Sequence, residues 1–145
     1  MAERAGEDIH NLQRFVEAQD RVYAQVCSEL RSGRKRSHWM WFVFPQLAGL
    51  GSNDRARHFA IASTAEAAAY LGHPVLGPRL RECTQLAVDS GKTLDDLFGY
   101  PDNLKFRSSM TLFACLAGGH FCNDALNRFG ETSDPETMEL LSSAP

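Results

Sequence analysis

The chain has 145 residues, 43% of them hydrophobic, the size of one domain with a sizeable core. Its formal net charge of -3, from Lys+Arg 15 against Asp+Glu 18, excludes a general attraction to nucleic acid or acidic membranes. No apolar stretch approaches the roughly 20 residues needed to cross a bilayer, and the amino terminus lacks the charged-then-apolar pattern of a secretion signal.

Residues 1–9 are expected to form a flexible amino terminus of one domain covering 1–145. Leu12, Phe15, Val16, Val22, Tyr23, Val26 and Leu30 then line one face of a first helix, with room for a kink, until Gly33 ends the pattern. Ser37 is the expected N-cap of a short aromatic helix that Pro45 limits. Leu47 to Asp54, with Gly49, Gly51, Ser52 and Asn53, reads as a loop, and Ala56 to Ala62 as either a helical turn or a brief strand. Ser63 and Glu66 have capping-box spacing for a helix through Leu71, which Gly72-His73-Pro74 closes. A further helix is expected over Leu76 to Ser90. Thr93 and Asp96 repeat the cap spacing, and Pro101 opens a helix to Ala117 that Gly118-Gly119 stops. Helices over Phe121–Phe129 and Pro135–Leu141, the second capped by Asp134, complete an all-α chain. No alternating run is long enough for a strand, and there is no internal repeat.

Two stretches carry chemistry. Ser37 to Gln46 holds both tryptophans, Trp39 and Trp41, follows Arg34-Lys35-Arg36, and has His38 and Gln46 near its ends. Such a run is either a core helix or an aromatic wall with a polar rim. On a helix the two indoles lie about 200° apart, so one belongs to the core and the other is open to a base or sugar. In the Pro101 helix the apolar residues cover most of the circumference, which predicts burial. Asp102, Lys105, Ser108 and Ser109 fall on one stripe of it, as a surface ion pair with back-bonded serines or as a cradle for an anion.

Other chemistries find less support. His38 has the pKa range of a general base, but a histidine opening an aromatic helix also serves in packing. The basic triplet after a helix end fits a solvated loop better than a nucleic-acid contact. Cys115, His120 and Cys122 carry zinc-binding atoms at a spacing that matches no common site, and the four cysteines, without CxxC spacing, fit reduced thiols in a cytoplasm. Neither a Walker loop nor a nucleophile elbow is present.

The strings His38-Trp39-Met40-Trp41, Phe44-Pro45-Gln46 and Ser108-Ser109-Met110-Thr111-Leu112-Phe113 resemble the bacterial domain-of-unknown-function family 1810. So do Leu12-Gln13-Arg14-Phe15, Ala18-Gln19, Gly49-Leu50-Gly51, Tyr70-Leu71, His73-Pro74-Val75-Leu76-Gly77, Arg79-Leu80 and Lys105. The resemblance spans nearly the whole chain and implies a small, all-helical cytoplasmic protein with no established activity. Phe59 and Phe106 stand where Tyr and Leu are common in the family. The calpastatin-like label of some relatives is no guide, because calpastatin is disordered and this composition is that of a globule.

The sequence thus leads to an all-α, single compact multi-helix domain with a pocket between the aromatic helix and the Lys105 helix. The expected ligand is small and polar or anionic, phosphate-bearing or nucleoside-like, held by His38, Trp39, Trp41, Gln46, Ser52, Lys105, Ser108 and Ser109. A small anionic metabolite is the expected partner; nucleic acid, membrane, metal and cofactor are not. If a reaction occurs, Lys105 and the serines would stabilise charge while His38 or Asp102 moves a proton. The alternative is a protein-interaction module, in which those polar groups only satisfy a core.

Overall fold

The computed structural model describes residues 8–143. Among them the chain forms ten helices and no strand, with one isolated parallel bridge between Leu47 and Ile61. Most of the expected flexible terminus lies outside the described residues. Asp8, however, is fixed: its carboxylate accepts from the amides of Leu12 at 2.6 Å and Gln13 at 2.8 Å, anchoring the first helix.

The expected first helix is two helices, α1 (Gln13–Asp20) and α2 (Tyr23–Ser32). Val22, at φ -133° and ψ 4°, leaves the helical region between them. The break lets α1 bury Phe15 and Gln19 while α2 buries Val26, Cys27 and Leu30. Apolar spacing alone does not register such a change of direction. Gly33 ends α2 at φ 81°, where a side chain would be strained. Its amide donates to the Leu30 carbonyl, and that of Arg34 to the Glu29 carbonyl.

Ser37 does not cap the aromatic segment, which starts later, as the single turn α3 (Met40–Val43) with Trp39 at its N-cap. The Ser37 amide and hydroxyl bond instead to the Glu29 carboxylate, at 3.1 and 2.6 Å. Trp39, Met40, Phe42, Val43 and Phe44 are all buried, so packing rather than helix length holds this turn. Gln19 supports it from α1, donating to the Phe42 carbonyl at 2.6 Å.

Residues 56–62 combine both expected forms. Helix α4 (Asp54–His58) is capped by the Asn53 side chain, which accepts from the Ala56 amide, and Ile61 then pairs with the 46–48 backbone. Local capping chemistry appears where the sequence places it. Ser63 accepts from the Glu66 amide at α5 (Thr64–Gly72), and Thr93 from the Asp96 amide at α7 (Leu94–Phe98). Between them, α6 (Leu76–Asp89) begins where His73 Nδ1 accepts from the Val75 and Leu76 amides. Helix α8 (Asp102–Ala114) stops short of Ala117, followed by α9 (His120–Arg128) and α10 (Pro135–Ser143). The Asp134 carboxylate caps α10 by accepting from the Thr137 amide at 2.9 Å.

Helix α8 runs through the middle, packed by α3, α5, α7, α9 and α10, so it is buried almost all round. Phe44 of α3's C-terminal end meets Phe106 of α8 and Phe98 of α7 edge-on, with ring centroids 5.0 and 5.9 Å away. Deep packing of α3 against α8 thereby sets where Trp41, the less buried indole, emerges.

Candidate ligand site around Trp41

Sequence neighbours Trp39 and Trp41 have opposite fates. Trp39 is 1% exposed, and its indole Nε1 donates to Glu29 Oε1 at 2.9 Å. Glu29 also receives the Arg36 amide at 2.7 Å, the Ser37 amide and hydroxyl, and the Gln25 side chain at 2.8 Å. Burial pushes this carboxyl up, but the donors from Arg36, Ser37, Gln25 and Trp39 outweigh it and bring it down to about 2. Glu29 is therefore an ionised anchor that fixes residues 36–39 and so the start of α3.

Trp41 instead forms a wall of a cavity of about 300 Å³. The other walls come from the 46–60 segment, chiefly Gln46, Leu47, Ala56, Arg57 and Phe59. The ends of that segment are tied together, Ala48 N–H donating to Ile61 O at 2.8 Å and Ile61 N–H to Gln46 O at 2.9 Å. Arg14 pins its return, donating to the carbonyls of His58 and Ala60 and to the Glu66 carboxylate at 2.8, 3.0 and 2.8 Å. Trp41 also borders a shallow depression shared with His38, Asn53, Asp54 and Arg55.

Two cations lie over the Trp41 ring: Lys105 Nζ at 4.8 Å and Arg55 Cζ at 5.3 Å from its centroid. The indole Nε1 is buried and has no hydrogen-bond partner among the described residues. A buried donor left so costs about 1–3 kcal/mol.

Residues 9–141 match the model of a family described as a protein of unknown function, DUF1810. The chain belongs to the DUF1810 family. The likeness seen in its aromatic and Ser108–Phe113 strings thus extends over the whole fold. This DUF1810 chain is also similar to the crystal structure of the conserved hypothetical protein Rv1873 from Mycobacterium tuberculosis, with 49% sequence identity and a TM-score of 0.91. The match covers 94% of this chain and 100% of that one. No curated protein matches.

Within this DUF1810 fold the residues singled out in the sequence divide into groups. His38, Trp41, Gln46 and Lys105 gather around the Trp41 ring and its two depressions. Ser52 is exposed on the 46–60 segment. Trp39 is core. Asp102 sits between Lys35 Nζ at 2.7 Å and Lys105 Nζ at 3.6 Å, an ion-pair partner rather than an open carboxylate. Ser108 is buried and its hydroxyl reaches Asp134 Oδ2 at 3.4 Å, on the α10 side. Ser109 is fully buried, with no partner for its hydroxyl among the described residues. The cavity also lies elsewhere than expected, between Trp41 and the 46–60 segment; the Lys105 helix lines none of it, and Lys105 lies over the Trp41 ring that borders it. Cys122 is buried while Cys115 and His120 are exposed, so these zinc-type donors do not converge.

Sequence reasoning missed Arg55, Arg57, Phe59 and the staple Arg14. The signal was present in Asn53-Asp54-Arg55-Ala56-Arg57, a cap followed by a charged turn. Nothing local in that string says that the turn folds back onto an indole.

Proposed function

We propose that this chain binds a small anionic molecule in the cavity beside Trp41. The observation that carries the reading is a cavity of about 300 Å³ walled by Trp41, Gln46 and Arg57, with Lys105 and Arg55 over the Trp41 ring that borders it. A neutral ligand would satisfy the Gln46 amide, but only an anion also uses the cations around the ring. The cavity is at the lower end of ligand-site volumes, which favours a metabolite over a peptide.

Native mass spectrometry of gently purified protein tests this reading. Wild type should carry a bound mass that Ala56→Phe, which fills the cavity from the short surface helix α4, does not. Equal occupancy in both proteins would place the ligand elsewhere.

The interaction-module reading draws on a different observation, the exposure of Tyr100 at 82% and Leu104 at 47% near the start of α8. Tyr100→Ser with Leu104→Ser should leave the bound mass unchanged. Loss of a protein partner in that double variant, with no bound small molecule in wild type, would favour the module.

A further inference from the structure

The charges around Trp41 narrow the ligand class. Four cations lie in this region: Lys35, Arg55, Arg57 and Lys105. Asp102 accepts Lys35 at 2.7 Å, and Asp54 accepts Arg57 at 3.1 Å, so each carboxylate has its nearest cation at ion-pair distance. Lys105 shares Asp102 only at 3.6 Å, and Arg55 forms no ion pair among the described residues. Four cations thus face two carboxylates, which leaves two positive charges in the region, and Lys105 and Arg55 are the two groups over the Trp41 ring.

Resting on the anion-pocket reading above, we infer that the ligand is a nucleoside monophosphate. A phosphate monoester carries about -1.5 to -2 at neutral pH and three acceptor oxygens. Those oxygens match the Lys105 ammonium and the Arg55 guanidinium, the two groups over the Trp41 ring, and the charge balances the two positive charges left there. A carboxylate would leave about one positive charge uncompensated. Beyond the phosphate, the cavity offers Leu47, Ala56 and Phe59 as apolar walls and the Gln46 amide as a paired donor and acceptor. A flat base with a polar edge meets both requirements. A free sugar phosphate would leave its hydroxyls facing the apolar walls.

Isothermal titration of the full chain with ribonucleoside monophosphates, the parent nucleosides, inorganic phosphate and benzoate tests the assignment. At least one monophosphate should bind about tenfold or more tightly than its nucleoside and than inorganic phosphate. Arg55→Leu and Lys105→Met should each erode that preference with little change in melting temperature, Arg55 being exposed and Asp102 keeping Lys35. Ala56→Phe should abolish binding. Inorganic phosphate binding as tightly as every monophosphate would overturn the nucleoside body. Benzoate binding more tightly than all of them, lost in Ala56→Phe, would overturn the phosphate while leaving the anion pocket standing. If no monophosphate binds, the inference fails; if wild type also carries no cavity-dependent mass, the pocket reading fails with it.

Discussion

Glu29 is a buried charge that the fold surrounds with neutral donors instead of a cation, and this gives it a pH signature. Its folded pKa, about 2, lies below the ordinary 4.5, so its stabilising contribution is complete above about 4.5 and is lost as pH falls towards 2. A depression of that size corresponds to about 3 kcal/mol. Urea titrations of wild type and Glu29→Gln should show a gap that is widest near neutrality and closes below pH 4. A gap independent of pH would mean that the charge is irrelevant. Trp39→Ala removes both a core indole and one Glu29 donor, and should cost about 3 to 5 kcal/mol by the same measurement. Ser109→Ala works the other way. Its hydroxyl is buried without a partner, so its removal should leave the melting temperature unchanged or raise it. A clear fall in melting temperature would reveal a hydrogen bond that the geometry does not contain.

At the level of elements, the 46–60 segment is seated by Leu47 and Phe59 on the core, and its return is pinned by one side chain. Arg14 joins its return to α1 and α5, and the Arg14–Glu66 pair is largely buried, with side chains 12% and 5% exposed. Arg14→Met leaves Glu66 as a lone buried carboxylate and should cost about 3–5 kcal/mol. Hydrogen exchange should quicken first at Ala48 and Ile61, the amides that close the segment. Uniform quickening across all helices would show that Arg14 supports the whole core instead. Elements with a chemical end-mark were legible in the sequence: Gly33, Ser63, Thr93 and Asp134 act where their spacing puts them, because a cap is satisfied within a few residues. The α1/α2 break and the fate of Ser37 were not. The first follows from the different surfaces against which α1 and α2 bury Phe15 and Val26, the second from the Glu29 carboxylate, and periodicity contains no term for either.

For the whole molecule, burial pattern and absence of alternation were enough to give an all-α fold around a central α8. Part of the candidate site was equally legible as a group of neighbours, since His38, Trp41 and Gln46 are close in the chain and only Lys105 had to be joined to them. The other wall was hidden because α4 reaches Trp41 through tertiary folding, not through its own composition. All four cysteines are free, and Cys27, Cys83 and Cys122 are buried; thermal unfolding followed by circular dichroism should therefore be the same with and without reductant. A shift of several degrees would point to a disulfide that this fold does not contain. The divergent surroundings of the two indoles have an optical consequence. Trp39 and Trp41 are the chain's full set of tryptophans. Trp39, enclosed in the core beside a carboxylate, keeps its emission until the chain opens, whereas Trp41, under two cations and facing a cavity, changes its emission when that cavity fills. If the proposed ligand binds, one intrinsic fluorescence trace should therefore carry two separable signals, a saturable one at constant fold and a cooperative one on denaturation, and a Trp41→Phe variant would retain only the second.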